Sequence, residues 1–387
     1  LNTIAPILTM FFMITYAMVN VVALVEQTLS LPSYRPTLKI PIIIPAIGAI
    51  GSIAIMFVMN VLVALFSLVF IVIFYLYLVK LNIKSAAGDS RSGLFTALAE
   101  WATKKTNSLR QEKEVRSWRP DLLMPVTMPK EIRSSYKLIH SIIYPKGSIK
   151  ILALRNENPV EQQNMENFLK NAVKKFKESE LLVSFTTIDN SDFNTTVNAS
   201  MQSLNTAFFK PNIIFTSIDS STTKSDSFNK LIIDSRKNNF GLIIYIPFST
   251  ASLAIEKSIN LWMTNIPVDW KETFSVNNND LSTLISLLIS KNWKGTIDVH
   301  IVNNNPELTF SKADIEDLHT MVRFPTGTTI SIKQGELLEN VNRERNTDVN
   351  IFNIEGGMQV EDMVKIVNQS RISAIFCGDS EFENVLV

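Results

Sequence analysis

The chain is poor in most of the residues from which active sites are built. It holds one cysteine, Cys377, and three histidines, His140, His300 and His319, among 387 residues. A lone cysteine excludes an intramolecular disulfide and fits a reducing compartment. Three histidines at no ligand spacing, with that single thiol, leave no set of zinc ligands. No Gly-rich run ends in Lys-Ser/Thr, no G-x-G-x-x-G follows a strand, and no G-x-S-x-G elbow occurs. The formal net charge of +1 implies no strongly basic face, so no nucleic-acid partner is expected. The chain is read as a non-enzyme.

Charge is absent from one long stretch. Between Lys39 and Lys80 every residue is uncharged and nearly all are apolar. That length suits two membrane crossings, because a bilayer core takes about 20 apolar residues per helix. We predict helices over 42–58 and 61–79, with Met59-Asn60 as the tight connection. Residues 1–25 form a third crossing with the scattered polar groups Thr9, Thr15, Tyr16 and Asn20. Tyr16 and Asn20 are four apart and share a helix face. Read as packing, the pair is helix–helix glue; read as function, Tyr16 lines a solute path.

Residues 1–80 carry only Glu26, Arg35, Lys39 and Lys80 as charges, so the chain divides into a membrane part and about 300 residues of soluble part. Arg35 and Lys39 precede the hairpin and Lys80, Lys84 and Arg91 follow it, which places the soluble part in the cytoplasm. The chain opens at Leu1 with no basic segment before its first apolar run, so no signal peptide is expected. We read it as a piece of a longer protein. Residues 81–117 form an amphipathic connecting segment. Leu94, Phe95, Leu98, Trp101 and Ala102 recur at helical spacing, and Lys104, Lys105, Arg110, Lys113 and Arg116 follow. Such a stretch suits either anionic lipid or packing on the chain's own soluble part.

From SWRP (117–120) onward the pattern alternates. Short β-branched runs lie at 121–126, 148–154, 181–188, 212–218, 241–247, 259–263, 296–302, 328–332, 348–354 and 372–377. Helical periodicity lies at 160–179, 192–205, 224–237, 279–291, 312–323 and 359–370. The alternation predicts right-handed crossovers and a largely parallel sheet covered on both faces. We divide it into α/β subdomains at 118–250 and 251–387, a structural repeat without sequence self-similarity. Asp189 and Asp192 follow a strand, where α/β folds bind ligands, although acidic loop residues are ordinarily just solvated. Gly356-Gly357 could cradle a phosphate or form a plain turn. The N-x-S/T sequons at Asn194, Asn198 and Asn368 would stay unmodified in a cytoplasmic domain.

Several of these segments together resemble the cation-chloride cotransporters of the amino acid-polyamine-organocation superfamily. APILTMFFMITYAMVN, SYRPTLK and PAIGAIGSIAIMFVMN are similar to the family's last three transmembrane helices and their loop. SWRPDLLMPV resembles the family's first cytoplasmic strand. SINLWM (258–263) and LSTLISLLISKNWKGTIDVHIV (281–302) resemble a later strand, helix, Trp-Lys, strand unit. The likeness spans essentially the whole chain and thins after about 305. The soluble part is shorter than in animal relatives, which points to a prokaryotic member.

The resemblance implies the end of a LeuT-like bundle, three helices, followed by a cytoplasmic domain of two universal-stress-protein-like units with mostly parallel sheets. It implies transport of chloride with sodium and/or potassium across the plasma membrane, with the cytoplasmic domain as a homodimeric regulatory module. Tyr16 matches the tyrosine whose hydroxyl helps hold chloride, a role suited to a neutral phenol donor. The other ion-site helices are outside this chain, so by itself it is not expected to transport. No cofactor is required; since some members bind nucleotide, the resemblance leaves nucleotide binding by the cytoplasmic domain open. The rival readings are an organic-solute permease of the same superfamily and a membrane-anchored nucleotide sensor.

Overall fold

The computed structural model describes residues 4–29, 40–80, 98–105 and 118–386, apart from short loops within the last range. Pro32, Arg35, Pro36, Lys39 and most of the connecting segment, including Leu94, Phe95, Arg110, Lys113 and Arg116, lie outside the described residues. Two compact units form, Leu1–Arg110 and Gln111–Val387.

The first unit is helical: α1 (Ile4–Leu29), α2 (Ile43–Met59), α3 (Val61–Lys80) and α4 (98–105). Asn60 alone separates α2 from α3. Its extended backbone ends α2, and its side-chain oxygen accepts from the Val63 amide at 3.1 Å, capping α3. The predicted connection is thus shorter by one residue, Met59 being helical. Met10, Ile14 and Ala17 of α1 recur at three- and four-residue spacing and are buried, with Met56 and Ala64 from the other two helices. Most other apolar side chains face outward, Ile47, Ile50, Val58, Leu62 and Phe66 among them. Leu8–Val25 is long and apolar enough to cross a bilayer, while Ile43–Met59 and Val61–Phe74 are apolar but shorter.

The second unit is a ten-stranded sheet with helices on both faces. Its strands are β1 (Asp121–Val126), β2 (Ser148–Arg155), β3 (Leu182–Asp189), β4 (Ile213–Ser217), β5 (Gly241–Ile246), β6 (Ser258–Thr264), β7 (Thr296–Val302), β8 (Thr329–Lys333), β9 (Val349–Asn353) and β10 (Ala374–Gly378). The spatial order is β3-β2-β1-β4-β5-β10-β9-β6-β7-β8. Counted from its own first strand, each half reads 3-2-1-4-5, so the same winding is laid down twice. Every adjacent pair is parallel except β5 and β10, which meet antiparallel with Tyr245 opposite Ile375 and Ile243 opposite Cys377. The two halves therefore share one sheet.

The β-branched strands alternate their side chains between two cores. Ile243, Tyr245, Ile375 and Cys377 face one core together with α5 (Pro129–Ile143), α6 (Pro159–Glu178), α10 (Asp280–Trp293) and α11 (Lys312–Val322). Leu242, Ile244, Ala374 and Phe376 face the other, covered by α7 (Phe193–Leu204), α8 (Ser225–Lys237), α12 (Leu337–Arg343) and α13 (Val360–Ser370). Burying each such aliphatic or aromatic side chain contributes about 1.5–3 kcal/mol.

Three helices lie where no helical periodicity was read: α5, the four-residue α9 (Trp270–Thr273) and α12. For α5 the signal is present. Pro129 stands in its first turn, Glu131 follows, and Ile132, Leu138, Ile139, Ile142 and Ile143 make one buried stripe. The other two are too short for periodicity to register.

Candidate functional site

Tyr16 lies on α1 with its side chain 58% exposed. The residue paired with it by spacing has a structural task. Asn20 Nδ2 donates to the Tyr16 carbonyl at 2.8 Å, and the Asn20 amide abuts α2 at Gly48. A Cβ on Gly48 would stand 2.6 Å from Asn20 Oδ1, so the helices approach here because residue 48 has no side chain. Asn20 is thus helix–helix glue, and the side chain of its neighbour Tyr16 is exposed.

In the α/β unit the sequence-singled positions prove local. The Asp192 carboxylate accepts from the Thr195 amide at 2.9 Å and its hydroxyl at 2.7 Å, capping α7. The Thr195 hydroxyl, then its amide, hold that carboxyl below its usual range. Asp189 is exposed at the end of β3, an edge strand. Gly356-Gly357 turns the chain from β9 into α13, with Gly357 at φ +92°. The first amides beyond it are already bonded: Gln359 to Asp362 at 3.1 Å and Val360 to Asn229 Oδ1 at 2.9 Å. His140, His300 and His319 belong to no cluster of metal ligands among the described residues.

The polar centre of the unit was not singled out from sequence. It lies at the carboxyl ends of β6, β9 and β10, where the winding of the second half reverses between β6 and β9. Thr264 Oγ1, ending β6, donates to Asn353 Oδ1, ending β9, at 2.9 Å. The fully buried Asn279 side chain accepts from the Thr264 amide at 3.2 Å and donates to the carbonyls of Thr264 (2.9 Å) and Val276 (2.7 Å). Asn278 donates to the Ile354 carbonyl and accepts from the Asp379 amide at 3.2 Å.

Three carboxyls adjoin it, those of Asp280 and Glu383 buried and that of Asp379 half-buried. Asp379, just past β10, accepts from the amides of Asp280 (3.0 Å) and Leu281 (3.1 Å) and so caps α10. Asp280 accepts from the Val385 amide at 2.7 Å. Glu383 accepts from the Ser380 amide at 2.8 Å and hydroxyl at 2.9 Å. Burial pushes Asp280 up to about 7, with the Glu383 charge adding to it against the Val385 hydrogen bond. Burial, then the charges of Asp280 and Glu383, raise Asp379 well above the usual carboxylate range. Burial also raises Glu383, opposed by Ser380. Below them the Cys377 thiol is fully buried and pushed up by burial and by the two acids after it. Chemically, the arrangement favours protonated carboxyls and fastens Asp379 and Val385 to the start of α10. No spacing signal could have found it, since Asp280 and Asp379 lie a hundred positions apart.

Comparison with known proteins follows this geometry. Residues 124–253 match the family model described as the first part of the C-terminal domain of prokaryotic cation-chloride cotransporters, and residues 255–386 match the second part. Among solved structures, the cytoplasmic domain of a prokaryotic cation chloride cotransporter superposes with a TM-score of 0.58 at 22% identity, covering 70% of this chain and 99% of that one. A universal stress protein from Archaeoglobus fulgidus aligns with a TM-score of 0.44 at 10% identity, over 67% of this chain and 97% of its own. No curated protein matches the chain. The two family matches are consecutive and together exceed half the chain, and by them this chain belongs to the prokaryotic cation-chloride cotransporter C-terminal domain family.

Proposed function

We propose that the chain is the C-terminal part of a secondary active transporter that couples chloride movement to sodium and/or potassium. The observation that carries this reading is one of order: an apolar helical unit precedes, in one chain, two consecutive matches to the cotransporter C-terminal domain. On this reading α1, α2 and α3 are the last three crossings, and the residues after about 80 are cytoplasmic. The Tyr16 hydroxyl is offered to chloride from α1, where a phenol donor in low dielectric suits an anion without adding charge. The α/β unit is a regulatory module, acting as a homodimer and without catalytic chemistry. On this reading the module requires no cofactor, and nucleotide binding is the ligand chemistry it is open to.

The test is chloride-dependent uptake of rubidium and sodium tracers into vesicles holding the intact transporter, wild type beside Tyr16→Phe. Uptake that needs chloride and falls on loss of the hydroxyl supports both the transport reading and the residue. Uptake indifferent to chloride defeats the cotransporter reading. Unaltered chloride dependence in the variant returns Tyr16 to helix packing.

A further inference from the structure

We propose that α4 lies in the headgroup layer of a bilayer containing anionic lipid, with Leu98 and Trp101 inserted and the lysines at its end on the phosphates. The proposal rests on the membrane reading of α1–α3.

The side chains of α4 call for an amphipathic surface. Leu98 is 55% exposed and Trp101 64% exposed. They stand three residues apart, and Lys105 continues the same stripe at i, i+3, i+7. Lys104 flanks it and is tied to Glu100 at 2.7 Å, while the half-buried side of the helix holds only Ala102 and Thr103. A helix that exposes a leucine and a tryptophan beside lysines needs an amphipathic surface to lie on.

Composition decides which surface. The outward-facing residues of α1, α2 and α3 are chiefly isoleucine, leucine, valine and phenylalanine, suited to hydrocarbon. Trp101 is the first tryptophan of the chain, and on α4 it shares a stripe with Lys105. An indole with an apolar body and one N–H settles where hydrocarbon meets water, and lysine stems reach past it to the headgroups. The connecting sequence adds Lys84, Arg91, Arg110, Lys113 and Arg116 against Asp89, Glu112 and Glu114, a balance complementary to anionic lipid. Position agrees, because α4 belongs to the same compact unit as the apolar helices. A second copy of this chain would supply the same basic stretch and meet it with repulsion.

The four remaining tryptophans, Trp118, Trp262, Trp270 and Trp293, all lie in the α/β unit, which makes Trp101 a clean reporter. The intact chain would be placed in nanodiscs of phosphatidylcholine and phosphatidylglycerol, with and without brominated acyl chains, and tryptophan emission compared. Bromine should quench part of the wild-type emission, and Trp101→Phe should abolish that quenching. Lys104→Gln with Lys105→Gln should reduce it toward the level seen in pure phosphatidylcholine. Equal quenching in wild type and Trp101→Phe overturns the proposal, as does unquenched emission from an incorporated chain, the result if protein covers the helix. A chain that fails to incorporate overturns the membrane reading and this inference with it. Incorporation without Trp101 quenching overturns this inference alone.

Discussion

Trp293 donates its indole Nε1–H to Ser141 Oγ at 2.9 Å, across 152 positions of sequence. The two residues stand on α10 and α5, which follow the first strand of each half. Asn292 reinforces the contact by donating to the carbonyls of Ser141 and Tyr144. On the opposite face Asn229 of α8 accepts from the Val360 amide at the start of α13, and Arg236 of α8 donates to the Ile354 carbonyl just past β9. With β5 paired to β10, the halves are tied at three levels: one helix pair, the sheet, and a second helix pair.

Trp293→Phe keeps most of the packing and removes the donor. Ser141 retains the Lys137 carbonyl as a partner, so no buried group is orphaned. The expected loss is about 0.5–1.5 kcal/mol, read as a lower urea midpoint by circular dichroism at unchanged slope.

Two glycines repeat one steric requirement. A Cβ on Gly147 would stand 2.4 Å from the Pro120 carbonyl oxygen, and one on Gly295 would stand 2.3 Å from that of Lys257. Each glycine stands between the helix after a first strand and the strand that follows it, and the backbone it meets enters the first strand. Backbone cannot yield as a flexible side chain can. Gly147→Ala and Gly295→Ala should each cost about 1–3 kcal/mol, and a thermal midpoint unchanged in either variant would refute the equivalence.

The acid cluster sets a pH dependence. Asp280, Asp379 and Glu383 all have folded-state values raised above the usual carboxylate range. The folded state therefore binds more protons than the unfolded chain, and stability falls as pH rises through about 7, the value for Asp280. Asp280→Asn keeps an oxygen for the Val385 amide and removes the titration. Between about pH 5 and 7 it should flatten the stability slope by about 1 kcal/mol per pH unit, measured by urea titration. An equal slope in the variant would show that the cluster does not titrate there.

Asp348 governs the link between the halves. Its carboxylate accepts from the amides of Ile255 (3.2 Å), Lys257 (2.8 Å) and Ser258 (2.9 Å), and from the Ser258 hydroxyl at 3.0 Å. Burial opposes the charge, but these amides outweigh it and hold the carboxyl below its usual range. Asp348→Asn sets an NH2 group against amide donors and should cost about 1–3 kcal/mol. Amide hydrogen exchange should quicken at 255–258; exchange equal to wild type would show that the turn holds itself.

Much of this protein was legible before folding. The β-branched runs near 241–247 and 372–377 announced strands, because a strand buried on both faces must be apolar throughout. The charge-free stretch after Lys39 announced apolar helices for an equally direct reason. The helix at 129–143 was legible too, its Ile132, Leu138, Ile139 and Ile142 stripe lying between two strands that drew the eye. Asp192 shows the converse: its place after a strand suggested a ligand site, and local geometry made it a helix cap.

What the sequence by itself determined was therefore local: which segments are helix or strand, which are apolar, and which turns need glycine. Periodicity and propensity act over a few residues and can be read there. Tertiary structure alone decided that β5 would meet β10 antiparallel, that Trp293 would find Ser141, and that Asp280, Asp379 and Glu383 would be gathered beside one another. Pairing across a hundred residues leaves no local mark. A carboxyl's proton affinity depends on the water and charge around it, and those exist only once the chain has closed over it.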